Sequence, residues 1–289
     1  MPIVRFDAAD FPHTVEMTAN FGGSGLTGHL VTSSRSINLE EVRALYYRRP
    51  TTFSFTHLDI QDARFATTQA RYGFGGVLAN LPGCLYVNHP HRIADAEFKP
   101  AQLTAAVAVG LTIPPTIITN DPVRARNFVA AADRAVYKPL WSTPYETRDG
   151  AKTVWVREVK AGELDERVAG TAHLFQQCVA KVADLRVTVI DEKVFGVRIE
   201  SSDGLLDWRY DYDQLTYTAV ELPRALITAM HDYLARFDLV FGCFDFALTA
   251  SGDIVFLECN PNGQWAWMSE PTGLTMTAAL ADLLERGRR

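Results

Sequence analysis

The sequence predicts an α+β fold built from several small sheets. Strand-like and helix-like segments are mixed without the strict strand–helix–strand rhythm of a parallel sheet. No internal repeat and no low-complexity linker interrupts them. The chain has 289 residues, 47% of them hydrophobic and 21% charged, enough apolar material for one large domain or two to three small ones.

Taken in order, "VEMTAN-FGGSG-LTGHLVTSS" reads as two alternating strands around a glycine-rich turn. In "SINLEEVRALYYRRP", Asn38 with Glu41 three residues on opens a short helix, and Leu45-Tyr46-Tyr47 returns as a strand stopped by Pro50. "DARFATTQARYGFGGVLANL" is helical in its first half. "YVNHPHRIADAEFKPAQLTAAVAVGL" is a loop followed by an alanine-rich helix that Gly110 closes. "IPPTIITND" is strand-like, and Asp121-Pro122 starts another helix. "AVYKPL" is a buried strand and "KTVWVREV" an alternating one, with a turn at Gly150 between them. "HLFQQCVAK" leads into "DLRVTVIDEKVFGVRIES", two strands that meet at Asp191-Glu192. "LPRALITAMHDYLARFDL" is an amphipathic helix with Pro223 in its first turn. "VFGCFDFALTASGDIVFLECN" is a hairpin turning at Ser251-Gly252-Asp253, and "TMTAALADLLERGRR" is a final helix whose basic end suits its C-terminal dipole.

Composition excludes several function classes. A net charge of -6 argues against a non-specific nucleic-acid surface. The four cysteines, Cys84, Cys178, Cys243 and Cys259, are scattered without CxxC or zinc spacing, which reads as reduced buried thiols. "MPIVRFDAADFP" lacks the basic and apolar regions of a signal peptide, and no apolar run is long enough to span a membrane. The expectation is a soluble, cytoplasmic protein with no nucleic-acid or membrane partner.

Gly23, Gly25 and Gly28 spell GxGxxG, but a dinucleotide fingerprint needs a helix to open within it. Here "GHLVTSS" continues as a strand, so the glycines read as a hairpin loop. The chemistry points instead to "FLECNPNGQW" (256–265). On a strand, Glu258 and Asn260 share one face, while Leu257 and Cys259 share the other. The preceding strand, "GCFDFAL", carries one acid, Asp245, in an apolar run, and the hairpin turn brings it near Glu258. Facing carboxylates repel, and a divalent cation removes that penalty. Two acids and an amide are hard oxygen ligands that suit Mg²⁺. The alternative is a structural polar cluster held by backbone N–H groups.

Two lysines agree with that reading. Lys138 stands in an apolar strand before a proline, and Lys99 at a helix start, where the dipole offers a cation nothing. Anion contact explains both, with surface snorkelling as the alternative. Arg186 and Arg209 are embedded among apolar or aromatic residues and offer a fixed fork to phosphate or carboxylate. Ion pairs with the neighbouring Asp184 and Asp207 are the alternative for them.

Together "FDF…VFLECNPNGQW", "VYKPL", the Lys99 helix leading to "GLTIPPTIITND", "LFQQCVAK…DLRVTV" and "DWRYDY" resemble the ATP-grasp superfamily. "YYRRP" and "NPNGQWAW" resemble its branch of ribosomal peptide maturases, the microviridin-type or graspetide macrocyclases, and the likeness covers almost the whole chain. It implies an N-terminal α/β domain over 1–90, lacking the first strand and helix usual in the family. A central lid domain over 91–175 and a C-terminal ATP-grasp domain over 176–289 follow. It implies ATP and two Mg²⁺ ions as cofactors and a ribosomally made precursor peptide, leader and core, as partner. A homodimer is the expected assembly.

By the same resemblance, Lys99 and Lys138 hold ATP phosphates, Lys181 adds to the nucleotide site, and Gln176, Gln177 and Val179 lie in the hinge that reaches adenine. That hinge reads Gln-Gln-Cys where an acidic residue is common, which leaves backbone contacts as the expected ones. Asp245, Glu258 and Asn260 bind Mg²⁺, with Asn260 also at the nucleotide. Arg186 and Arg209 steady the transferring phosphoryl group and the acyl phosphate. Asp211, two residues beyond Arg209, is a candidate to accept the proton of the attacking hydroxyl, with a solvated acidic loop as its alternative. Phosphoryl transfer needs mostly positioning and charge neutralisation, which this residue set supplies. Two other readings stand beside macrocyclisation: a carboxylate–amine ligase that adds an amino acid, and a non-catalytic nucleotide-binding module.

Overall fold

A computed structural model describes residues 3–23, 25–141, 145–147, 150–152, 154–201 and 215–287. The chain opens with β1 (Val15–Gly22), β2 (Gly25–Thr32) and β3 (Ser36–Asn38), an antiparallel sheet, then β4 (Ala44–Tyr46). Next come α1 (Ile60–Tyr72), α2 (Phe74–Leu78), β5 (Leu85–Val87), α3 (Pro90–Ala96) and α4 (Lys99–Ala108). β5 pairs in parallel with β4. The middle of the chain forms β6 (Thr116–Thr119), α5 (Pro122–Ala131), β7 (Ala135–Lys138), β8 (Tyr145–Thr147), β9 (Gly150–Lys152), β10 (Arg157–Val159) and β11 (His173–Gln177). Four of these strands make an antiparallel sheet in the order β10-β7-β11-β6. The last part contributes β12 (Lys181–Ile190), β13 (Lys193–Ser201), β14 (Leu215–Val220), α6 (Arg224–Arg236), β15 (Phe241–Thr249), β16 (Ile254–Asn260), α7 (Ser269–Thr272) and α8 (Met276–Arg286). Its five strands form a further antiparallel sheet, ordered β14-β13-β12-β15-β16. The α+β expectation holds.

The glycine-rich segment is the hairpin between β1 and β2, with no helix inside it. Gly28 has φ of +144°, and a Cβ there would sit 2.0 Å from the Thr18 carbonyl oxygen, so the cross-strand approach requires glycine. Downstream of Asn38 the expected helix shortens to one 3-10 turn, Leu39–Glu41, and the Asn38 side chain makes no cap bond. Only two residues separate this turn from β4, too few for an α-turn. The loop expected before the alanine-rich helix contains β5 and α3, and α2 continues the helical stretch past Gly73. Of "KTVWVREV" only Lys152, the last residue of β9, and the three residues of β10 are strand among the described residues, and Gly150, expected in a turn, opens β9.

The five-stranded sheet holds two cores. One face packs Leu185, Val187 and Val189 of β12 with Phe244, Phe246 and Phe256 against α6, and α4 joins this core through Ala105 and Ala106. The opposite face, toward the Ile190 end of β12, packs Ile190, Phe241 and Cys243 against α8 and Trp265. Leu85 and Val87 of β5 share that second core, which seats the N-terminal region on the sheet. Toward the other end of the same face, β12, β15 and β16 present polar side chains instead. Period two explains this on β12, where Asp184, Arg186 and Thr188 alternate with the apolar set.

Candidate active site

The hairpin turn predicts that Asp245 lies near Glu258, and in the β15–β16 ladder the two are directly opposite. A β-bulge between Asp245 and Phe246 makes this possible. Strict alternation would put Phe256 on the same face as Glu258. Instead Phe256 pairs with Phe246 and is fully buried in the core of the other face. The extra residue, Leu257, absorbs the change of phase. It leaves the Cys259 face to line the crevice described below, whereas Cys259 is buried in the α6 core as expected.

Both carboxylates have cationic partners. Arg186 donates from Nη1 to Asp245 Oδ2 at 2.6 Å, and the side chains are 7% and 10% exposed. Its Nη2 donates to the Gln264 carbonyl at 3.0 Å, and its Nε is buried with no hydrogen-bond partner among the described residues. Burial acts to lower the guanidinium pKa, but the Asp245 carboxylate outweighs it and holds Arg186 above its ordinary value. The partner is thus Asp245 across the sheet, not the neighbouring Asp184, which pairs with Lys181 at 2.6 Å. Lys99 donates from Nζ to Glu258 Oε2 at 2.9 Å. Asn260 Nδ2 links the two acids, donating to Asp245 Oδ2 at 3.2 Å and to Glu258 Oε1 at 3.4 Å.

Lys99 is the first residue of α4, where Pro100 supplies a helical φ and lacks an N–H the turn would leave unpaired. Its cationic head at the positive helix end needs an anion, and Glu258 is that anion here. Gln102, one turn along and 5% exposed, fixes α4 against β16. Its Nε2 donates to the Ala96 and Cys259 carbonyls at 2.8 and 2.9 Å, and its Oε1 accepts from the Cys259 N–H at 3.0 Å. A crevice runs between this edge and the four-stranded sheet. Lys99, Gln102 and Leu257 line one side, and Lys138, Leu174 and Gln176 the other. Lys138 ends β7 in register with Leu174.

Residues 178–180 form the hinge between β11 of one sheet and β12 of the other. The Gln177 and Cys178 N–H groups donate to the Pro115 and Arg134 carbonyls, at 2.9 and 2.8 Å. The buried Gln176 side chain donates to Thr116 Oγ1 at 2.9 Å, a tie within its own sheet. Val179 is half-buried in the hinge. Arg209 and Asp211 lie outside the described residues.

Several supporting residues escape sequence reasoning. Asn88, 1% exposed, donates to the Phe241 and Pro261 carbonyls at 2.8 and 2.6 Å. Its Oδ1 accepts from the Val240 and Phe241 N–H groups at 2.9 and 3.1 Å. One amide therefore holds both the entry to β15 and the turn after β16. In "YVNHP" it reads as a turn former, and only its place after an apolar strand marks it for burial. Gly263, in the same turn, leaves no room for a side chain beside Arg186 and Asn260. Trp265 Nε1 donates to the Tyr46 hydroxyl at 3.1 Å and so ties "YYRRP" to "NPNGQW". Burial pushes the Cys243 and Cys259 thiols up, so both stay protonated.

The donor set fits a hard divalent cation: two carboxylates in register and an amide between them. An Asn260 Oδ1 ligand would require that amide to turn over. Two antiparallel sheets joined by a short hinge thus flank a crevice lined by Lys99 of α4 on one side and Lys138 of β7 on the other.

No family model and no curated protein matches the sequence. Solved structures do. A RiPP-associated ATP-grasp ligase of Chryseobacterium gregarium, in complex with ADP and a leader and core peptide, matches with a TM-score of 0.90 at 23% identity, over 99% of this chain and 89% of that one. Macrocyclase MdnC of Microcystis aeruginosa MRC, bound with precursor peptide MdnA, matches at 0.87 and 25% identity, over 98% and 90%. Macrocyclase MdnB of the same organism matches at 0.80 and 29%, again over 98% and 90%. The chain has the ATP-grasp fold and is similar in structure to a ligase solved with a leader and core peptide, to a macrocyclase bound with a precursor peptide and to a second macrocyclase.

Proposed function

We propose that this enzyme is an ATP-dependent peptide macrocyclase. It activates an Asp or Glu side chain of a ribosomal precursor peptide and closes an ω-ester or ω-amide link to a hydroxyl or amine of the same peptide. The carboxylate takes the γ-phosphoryl group of ATP, giving an acyl phosphate and ADP. The hydroxyl or amine then attacks the acyl carbon, phosphate leaves, and each link removes one water from the peptide. The observation that carries this reading is the crevice with Lys99 and Lys138 on facing walls beside the Asp245, Glu258 and Asn260 set. Peptide-bound macrocyclases with the same fold support it.

Lys99 and Lys138 hold the nucleotide phosphates, and the hinge from Gln176 and Gln177 to Val179 lies along the base, with Lys181 near it. Asp245, Glu258 and Asn260 would hold Mg²⁺, two ions being the number that phosphoryl transfer commonly uses. When bound, Mg²⁺ neutralises charge on the phosphates. Arg186 keeps Asp245 aimed at the site. Arg209 grips the acceptor carboxylate or its acyl phosphate and Asp211 accepts the proton of the attacking group. Arg209→Ala is expected to lower turnover by about 10²–10³-fold, and near-normal turnover would remove Arg209 from the mechanism. Domains over 1–90, 91–175 and 176–289 and a homodimer complete the reading, although α4 packs with the C-terminal core.

The test is an intact mass measured after the peptide encoded beside this gene meets the enzyme, ATP and Mg²⁺. Loss of one water per link supports ring closure. A gain equal to an added amino acid assigns amino-acid ligation instead.

A further inference from the structure

Each carboxylate of the proposed metal set is already neutralised, but its two cations differ in how they are held. Arg186 is buried, donates to Asp245 at 2.6 Å, and has its second arm on the Gln264 carbonyl at 3.0 Å. It has no room to leave. Lys99 is held otherwise: its side chain is 22% exposed, and Glu258 Oε2, at 2.9 Å, is the one hydrogen-bond partner of its Nζ among the described residues. Its four-carbon stem lines the crevice that Lys138 faces from the other side. Arg186, Lys99, Asp245 and Glu258 therefore sum to no net charge, and of the two cations Lys99 is the more exposed, at 22% against 7%.

A bare divalent cation meets an unwelcoming site. It feels no net attraction from the four groups. To reach Glu258 it must displace Lys99, and that strands an ammonium at the positive end of α4 with no new anion. A nucleotide changes both terms. Its phosphates offer Lys99 a replacement anion in the crevice, and the released Glu258 then needs a cation, which the metal supplies. Each ligand removes the obstacle the other faces, which is the condition for positive coupling between two sites.

We infer that Lys99 is a specificity-determining residue that admits the metal only together with a nucleotide: it guards Glu258 until phosphate draws its ammonium away. The inference rests on the nucleotide and metal reading proposed above. It makes the free enzyme a poor metal binder by construction rather than by lack of ligands.

The test uses the full-length enzyme and Mn²⁺ followed by electron paramagnetic resonance. Titrations run with and without a non-hydrolysable ATP analogue, corrected for the metal–analogue complex in solution. The wild type should bind Mn²⁺ at least about tenfold more tightly with the analogue than without it. Lys99→Met should bind bare Mn²⁺ about tenfold more tightly than the wild type and the analogue about tenfold more weakly. Lys99→Arg, which keeps the charge, should hold bare Mn²⁺ affinity at the wild-type level. Opposite-sign shifts in one variant are the signature, since simple damage to the fold weakens both ligands. Equal Mn²⁺ affinity of the wild type with and without the analogue overturns the inference, as does a Lys99→Met variant that binds bare Mn²⁺ no better. If Lys99→Met does not fold, Lys99→Gln, which also removes the charge, is measured in its place against the same two outcomes. A wild type that binds no analogue with any metal overturns the nucleotide reading, and this inference with it.

Discussion

Replacing Gly263 by alanine tests whether the turn after β16 is positioned by close packing. A Cβ at this residue would stand 2.7 Å from the Cys243 Cβ, 3.0 Å from the Asn260 Cβ and 3.0 Å from Arg186 Nη2. The two Cβ atoms belong to strand residues and cannot swing aside, and the guanidinium is pinned at both ends. Relief to an ordinary contact of 3.4 Å requires the turn to retreat by about 0.7 Å. Overpacking of that size costs about 1–3 kcal/mol. For a chain of this size the melting temperature should fall by several degrees, at roughly 2–4 °C per kcal/mol. The retreat also draws the Gln264 carbonyl away from Arg186 and lets the Asp245 side chain turn. Misplacement approaching 1 Å lowers turnover by up to about 10²-fold. Differential scanning fluorimetry and ATP-dependent phosphate release with the cognate peptide measure the two effects. Gly162→Ala, where a Cβ meets nothing within 4 Å, is the control. A Gly263→Ala enzyme that melts and turns over like the Gly162→Ala control would refute the packing argument.

Other perturbations follow from the same geometry. Arg186→Met leaves Asp245 buried without its guanidinium and should destabilise the fold by about 3–5 kcal/mol in denaturant titration; a loss under about 1 kcal/mol would show that water or Asn260 compensates. The Tyr233 hydroxyl is buried with no hydrogen-bond partner among the described residues. Tyr233→Phe should therefore leave stability unchanged or raise it by about 1 kcal/mol, and a clear loss would reveal a missed partner. Burial acts to raise the Asp7 pKa, but hydrogen bonds from the Ala9 N–H and from Thr51 outweigh it and hold the carboxyl below its ordinary value. Its contribution is complete above the ordinary carboxylate range near pH 4 and is lost as pH falls through the lower folded value. Asp7→Asn should thus be less stable than the wild type at neutral pH, with the gap closing in acid; a gap that persists below about pH 2 would contradict the linkage.

Local signals made much of this legible. The Ser251-Gly252-Asp253 turn and the lone acid in "GCFDFAL" are enough to place Asp245 near Glu258, because hairpin register follows from the turn to within one residue. The misfit of Lys99 with its helix end signalled an anion, and Glu258 answers it. What sequence spacing hides is the bulge at Leu257, since period-two reasoning assigns Phe256 and Glu258 to one face. Nor does a local rule choose between rival partners. Arg186 has an acid two residues away, yet folding gives it Asp245 on the next strand and gives Asp184 to Lys181. Asn88 and Gln102 look like ordinary turn and helix-surface polars. Their burial follows from backbone groups on β15 and β16 that no nearby residue can satisfy.

The amide of Asn88 limits how this chain can be cut and recombined. It stands before α3, in the N-terminal region, but all four of its hydrogen bonds go to main-chain groups at the mouth of the β15–β16 hairpin. A fragment starting at α3 would leave those carbonyls and N–H groups unmatched in an apolar setting. An N-terminal region taken from another enzyme would serve only if it presented a buried amide at the same point. The front of the molecule is thus keyed to its hairpin through one residue, at which the joint of any recombinant must match.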